Sequence, residues 1–188
     1  MAVKRVLDLP QAARILEPGP LALVTSLHRG QHNVMTASWL MPLGFGPPRL
    51  GVAIHPSRLT HELITQSETF GLSIPTLDLL NVVHRCGMES GREFDKFLTA
   101  KLTPVDAVEI DAPLVGECVA HIECGLVQRL RLADHDLFVA EVLAVSAVEE
   151  LFTDRWHLEG DGALIHHIAG DQYAGLGKAY RATLTEEE

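Results

Sequence analysis

CVAHIECGLVQRLRLADHDLFVAEVLAVSAVEE, Cys118–Glu150, decides the fold. Two long apolar runs, CVAHIECGLVQRL and LFVAEVLAVSAVEE, flank the polar turn RLADHD. Extended, Val-rich runs on either side of a short polar turn predict an antiparallel hairpin. The pattern also occurs upstream, where LALVTSL (Leu21–Leu27), the turn HRGQ and the run HNVMTASWL read as a first hairpin. RLGVAIH (Arg49–His55) and TFGLSI add further strands, while MPLGFGPP, with prolines and glycines close together, reads as a loop. The strands follow one another too closely for regular βαβ crossovers. The expectation is about six or seven strands and two or three helices, a mainly-β chain with flanking helices beside an antiparallel sheet or barrel.

The helices read from spacing. PSRLTHELITQS carries Leu59, Leu63 and Ile64 on one face, with Ser57 as its expected N-cap. LDLLNVVHRC reads as a helix ended by Gly87. LPQAARILEPGP reads as a short helix stopped by Pro18, Gly19 and Pro20. Pro104 and Pro113 break the region before Cys118 into short extended pieces, and the region from Leu151 is mixed, ending in the solvated TEEE.

The chain has 188 residues, of which 47% are hydrophobic and 21% charged, the profile of one globular domain spanning residues 1–188. Its net charge of -10 argues against wholesale binding to nucleic acid or to an anionic membrane. No apolar run approaches the roughly 18 residues of a membrane span. Asp8, Gln11 and Arg14 interrupt the N-terminal segment, so it does not read as a signal peptide. Three cysteines make no disulfide framework, and the expectation is a cytoplasmic protein with reduced thiols. The two long apolar runs carry few charges to protect a sheet edge, which points to a homodimer.

Familiar nucleotide loops are missing. GFGPPR places Arg49 where a dinucleotide fingerprint needs its third Gly, and GLGKA lacks both the upstream Gly and the hydroxyl residue of a P-loop. HIEC has no paired-cysteine element after it, and a strand would put His121 and Glu123 on the face opposite Cys124. The ten histidines show no i, i+4 pair with a carboxylate, so no metal site is expected.

Three stretches carry polar chemistry. NVMTASW (Asn33–Trp39) has short polar side chains on a strand end, suited to a planar heterocycle, or else Trp39 simply packs in the core. SRLT (Ser57–Thr60) opens a helix, so its free N–H groups, Arg58 and the Thr60 hydroxyl make a small anion site, or else Ser57 is only a cap. MESGREFDKF (Met88–Phe97) sets Lys96 between Asp95 and Phe97, beside the flexible Gly91 and with Arg92 free to pair with Glu89 or Glu93. Lys96 is either a third anion-friendly element or a solvated turn lysine.

These stretches resemble the flavin reductase-like FMN-binding proteins, the group that includes flavoredoxins. GQHNVMTASWLMP, HPSRLTHELI, CGMESGREFDKF and ADHDLFVAEV occur in the same order, over about Pro18 to Tyr180. The resemblance implies an antiparallel split β-barrel that binds FMN non-covalently, usually at a homodimer interface. It implies that Asn33, Thr36, Ala37, Ser38 and Trp39 line the isoalloxazine and ribityl. Ser57, Arg58, Thr60 and Lys96 would hold the phosphate, Ser90 and Gly91 would shape the loop, and His135 would approach the flavin. No role for the C-terminal segment follows, beyond His167 as a possibility.

The function expected on this resemblance is an FMN-dependent oxidoreductase of flavin reductase type. It would draw on NADH or NADPH and pass electrons to a small-molecule or protein acceptor. The alternatives are a flavoredoxin-type electron carrier reduced by a partner protein, or a non-catalytic FMN-binding module. No side chain reads as an obligatory acid or base, since a bound cofactor would carry the chemistry.

Overall fold

The computed structural model describes residues 3–9, 11, 21–157, 163–180 and 182. The helix expected over Leu9–Pro20 lies, apart from Leu9 and Gln11, outside the described residues, as does the TEEE tail.

Both predicted hairpins form. Strands β2 (Ala22–His28) and β3 (Gln31–Ala37) are joined by a two-residue turn in which Arg29 and Gly30 take φ of 49° and 80°. Two successive positive φ values match the twist of the flanking strands. Strands β9 (Ala120–Leu132) and β10 (His135–Val148) form the long hairpin. Between them in the chain come β4 (Leu40–Phe45), β5 (Pro48–Ile54), β6 (Thr69–Ile74) and two short strands, β7 (Pro104–Val105) and β8 (Leu114–Val115), which pair with each other. β1 (Lys4–Leu7) precedes them all, and β11 (Ile165–Ala169) and β12 (Gln172–Gly175) form a separate hairpin.

Eight of these strands make one sheet, in the order β3-β2-β6-β9-β10-β5-β4, with β1 also on β10. Every pairing in it is antiparallel, as expected, and the barrel is split rather than closed. β10 carries two register shifts, between Val139 and Ala140 and between Val142 and Ala144. Such bulges bend a strand. β10 accordingly pairs with β5 through its first half and with β1 through its last four residues.

Three expectations are corrected here. MPLGFGPP is not a loop, because most of it forms β4. Pro42 is tolerated since β4 is the last strand of the sheet and a proline at an edge removes no needed ladder bond. The long runs of β9 and β10 are for the most part not edges either, because β10 is flanked on both sides and Ala120–Gly125 of β9 lies between β6 and β10, while Leu126–Leu132 of β9 pairs with β10 alone. The few charges of β10 and of the first half of β9 therefore reflect burial inside the sheet, and the exposed half of β9 carries Arg129 and Arg131. β1 and the β11–β12 hairpin raise the strand number above that expected.

The helices differ from expectation at their ends. α1 (Leu59–Ser67) starts one residue late, with Arg58 in the N-cap position and no side-chain cap. A turn closed by the Arg58 N–H donating to the His55 carbonyl sets this start. A short 3₁₀ turn, Leu77–Leu79, leads into α2 (Leu80–Met88), which runs through Gly87 instead of ending at it, and Glu89 leaves in an extended conformation. α3 (Lys96–Thr99) is a single turn capped by Asp95, whose carboxylate accepts from the Leu98 N–H.

One core fills the sheet interior, with Phe70, Leu72, Ile122, Phe138 and Phe152 fully buried. A second lies outside β2 and β3, where Leu23 and Val34 meet Val83 and Cys86 of α2 and Phe97 of α3. This second cluster fixes α2 and α3 against β3. No helix among the described residues is long and apolar enough to cross a membrane.

A buried histidine makes the fold acid-sensitive. Ser73 Oγ accepts from the Val115 N–H and lies 3.1 Å from His121 Nδ1, while His121 Nε2 has no partner among the described residues. Burial above all, then the Lys4 charge, lowers the His121 pKa from 6.5 to about 3. The folded state thus keeps His121 neutral where the unfolded chain would protonate it. This contribution to stability is complete above pH 6.5 and falls as pH drops toward 3, at about 1.4 kcal/mol per pH unit. Urea unfolding of the wild type and His121→Asn across this range is expected to show a shallower loss in the variant.

Candidate functional site

Four segments meet at one end of the sheet. They are the end of β3 with Ser38 and Trp39, the turn from β5 into α1, the end of α2 with the loop through Gly91 to Lys96, and the β9–β10 turn. They enclose two adjoining hollows of about 220 and about 60 Å³, which share Met35, Arg58 and Gly87. Every residue expected in the site lines one or both. Thr36, Ala37, Ser38, Trp39 and His135 border the larger. Asn33, Ser57, Thr60, Ser90 and Lys96 border the smaller, and Arg58 belongs to both. His167 is elsewhere, exposed on β11 with Nε2 3.1 Å from the Gly170 carbonyl oxygen.

The smaller hollow is cationic. Lys96 is no solvated turn lysine, since only 4% of it is exposed. Its ammonium donates to the Cys86 carbonyl, 2.7 Å away, near the C-terminal end of α2. An ammonium has three N–H donors. Burial pulls the Lys96 pKa below its usual value, and Arg58 adds to the effect. Arg58 has no ion pair among the described residues. The acids around it are engaged, Glu62 with Arg92 (2.8 Å), Glu89 with Arg85 (2.8 Å) and Asp95 with His32 (3.3 Å). Arg92 thus pairs with Glu62 of α1 rather than with Glu89 or Glu93. The N-terminal end of α1 adds unpaired N–H groups and the positive end of its dipole. Two cations against one acid, Glu89, beside a helix N-terminus leave the hollow net positive and suit an anion with several oxygens.

Local packing holds this hollow open. Asn33 Nδ2 donates to Thr60 Oγ1 (2.7 Å), and both residues are buried. The Gly91 backbone passes so close that a Cβ there would fall 2.0 Å from Asn33 Oδ1. Ser90 Oγ accepts from the Arg92 N–H (3.2 Å), which shapes the loop. Of the two phenylalanines in MESGREFDKF, only Phe97 is an anchor, whereas Phe94 is 46% exposed.

The larger hollow is bordered by aromatic rings on one side. The alternative of a core-packed Trp39 fails, because the residue is 63% exposed. Its ring lies 4.7 Å from the His135 ring at 42°, and His135 in turn lies 5.2 Å from His55. Thr36 spends its hydroxyl proton on the Val83 carbonyl (2.5 Å), so it can only accept from a ligand. His55, Met35 and Gly87 were not expected in the site. His55 read only as the end of a strand, yet its position directly before Pro-Ser-Arg was a usable signal.

The flavin reductase like domain family matches residues 15–169. An uncharacterized protein of Archaeoglobus fulgidus is 43% identical over 114 residues, 61% of this chain and 64% of its own length. The uncharacterized protein YddH of Escherichia coli is 32% identical over 182 residues, covering 94% of this chain and 96% of YddH. The NADH-dependent flavin reductase StyB of Pseudomonas fluorescens is 28% identical over 78% of this chain and 86% of its own. Among solved structures, an FMN-binding domain of a flavin reductases-like enzyme from Shewanella baltica superposes with a TM-score of 0.89, at 30% identity over 97% of this chain and 98% of that one. With the fold, the matched residues and these relatives in agreement, the chain belongs to the flavin reductase-like family.

Proposed function

We propose that this chain is an FMN-dependent oxidoreductase that takes reducing equivalents from NADH or NADPH and passes them to a small-molecule or protein acceptor. The observation that carries the reading is the junction of the two hollows, a wider cleft that shares Met35, Arg58 and Gly87 with a pocket holding a buried ammonium and a guanidinium without an ion pair among the described residues. An aromatic ring joined by a short polar chain to a phosphate matches that shape and charge. FMN, when bound, would supply the hydride and electron transfer.

The chain's own residues bind and orient. Arg58, Lys96 and the first N–H groups of α1 hold the phosphate. The Thr60 hydroxyl accepts from Asn33 and can turn its own proton toward the pocket. Ser57 faces His55 with its hydroxyl, so its backbone and the turn it makes matter more than its oxygen. Thr36, Ala37 and Ser38 form one side of the ring cleft, and Trp39 and His135 stand at its exposed rim.

A homodimer belongs to the same reading. Trp39, Met41, Leu43 and Phe45 are exposed apolar residues at alternate positions in and beside the edge strand β4, next to the cleft. A second copy covering this row would also close the open side of the site. Light scattering over a wide dilution range is expected to show a dimer, and a monomer that still holds FMN would end the shared-site idea.

The purified protein is expected to be yellow, and acid release followed by chromatography should recover FMN. Recovery of FAD, haem or nothing after supplementation with flavin would overturn the assignment. Anaerobic NADPH should then bleach the flavin rapidly. Bleaching only with a reduced iron–sulfur protein would make the chain a carrier of flavoredoxin type.

A further inference from the structure

The two histidines of the larger hollow are held in opposite tautomers. His55 Nδ1 lies 2.8 Å from Ser57 Oγ and accepts from the Ser57 backbone N–H at 3.1 Å. A nitrogen that accepts from a backbone N–H carries no proton of its own, so neutral His55 is protonated at Nε2. His135 is tied the other way. Its Nδ1 lies 2.8 Å from the carboxylate of Asp134, which can only accept, so His135 carries its proton at Nδ1 and neutral His135 has a lone pair at Nε2. The Asp134 carboxyl is held below its usual value by that hydrogen bond first of all. Neither Nε2 has a partner among the described residues. The ring centroids lie 5.2 Å apart in an edge-to-face contact, with the planes at 79°, and both residues line the hollow.

We propose that His55 and His135 act as a fixed donor–acceptor pair that reads a carbonyl and its adjacent N–H on one edge of a planar ligand. His55 Nε2–H donates to the carbonyl, and His135 Nε2 accepts from the N–H. A primary carboxamide on a nicotinamide and the cyclic imide of a flavin both present this chemistry. The proposal rests on the flavoprotein reading for the identity of the occupant, while the opposed tautomers are a property of the chain itself.

Two measurements test it. Long-range ¹H–¹⁵N spectra of the imidazoles, assigned with His55→Gln and His135→Gln, are read first on protein without flavin. Nε2–H at His55 and Nδ1–H at His135 are expected, and the same tautomer at both or the reverse arrangement overturns the proposal whether or not FMN binds. Affinities are read second. If the imide edge is the target, His55→Ala weakens FMN and riboflavin alike, by about tenfold. If the carboxamide is the target, both flavins keep their affinity and NADP⁺, followed by calorimetry, weakens by about the same factor. His55→Gln keeps an N–H donor and should recover most of the loss. No change in any of the three ligands overturns the proposal, even in a protein that binds FMN normally. Failure to bind FMN at all, with the tautomers as stated and NADP⁺ weakened by His55→Ala, overturns the flavin reading and supports the histidine pair.

Discussion

Lys96→Ala is expected to weaken FMN binding by about 10- to 150-fold and to leave riboflavin binding nearly unchanged, because a charge-assisted hydrogen bond is worth about 1.5–3 kcal/mol and each 1.4 kcal/mol is tenfold. The two ligands share a ring and differ in the phosphate, so their comparison isolates the anion pocket. Lys96 also serves the fold, since its ammonium satisfies the Cys86 carbonyl at the end of α2. A purely structural role predicts equal losses for both flavins, and flavin fluorescence titrations run side by side separate the two. Lys96→Arg is expected to recover only part of the affinity, because a planar fork does not replace a compact ammonium in a hollow of about 60 Å³. Thr60→Val is a less clean probe. It strips the acceptor from buried Asn33 Nδ2, so its cost should appear in stability as well as in affinity.

Gly91→Ala carries the second large effect, on stability and affinity together. The added Cβ would sit 2.0 Å from Asn33 Oδ1, 2.7 Å from Asn33 Cγ and 3.1 Å from Leu59 Cδ2. Asn33 cannot swing aside freely, because its amide is pinned to Thr60 in a buried site. Either the loop through Ser90 and Gly91 lifts off, or the Asn33–Thr60 bond breaks. Overpacking costs about 1–3 kcal/mol and the lost hydrogen bond about 1 kcal/mol, so a loss of roughly 2–4 kcal/mol is expected. In a chain of this size that lowers Tm by roughly 5–15 °C. FMN affinity should fall with it, since the loop also carries the approach to Lys96. Gly177→Ala is the control. A Cβ there meets nothing within 4 Å, so its Tm should stay within about 1–2 °C of wild type. Equal thermal shifts for both variants would show that the Gly91 contact relaxes without cost.

The lining of the two hollows was legible in the sequence because its parts are local. Asn33–Trp39, Ser57–Thr60 and Ser90–Lys96 are short clusters of polar residues beside strand or helix ends, and each cluster lines a hollow as a unit. Partnership was not legible. Arg92 reaches Glu62, thirty residues away in sequence, rather than either acid beside it. Ser57 serves His55 instead of capping α1. A polar side chain on a flexible segment has several partners within reach along the chain, and packing between segments selects among them.

The sequence by itself determined six strands of the main sheet, the two hairpins and the antiparallel arrangement, since alternation, apolar runs and turn residues act within a few positions of one another. Only the tertiary structure decided that the proline-bearing run Leu40–Phe45 is an edge strand, that β10 and the first half of β9 lie inside the sheet, and that Lys96 is buried against Arg58. The reason is common to all three. Whether a strand is an edge, and whether a charge is buried, depends on which distant segments pack beside it, and the chain around Lys96 carries no trace of the Arg58 that faces it across the hollow.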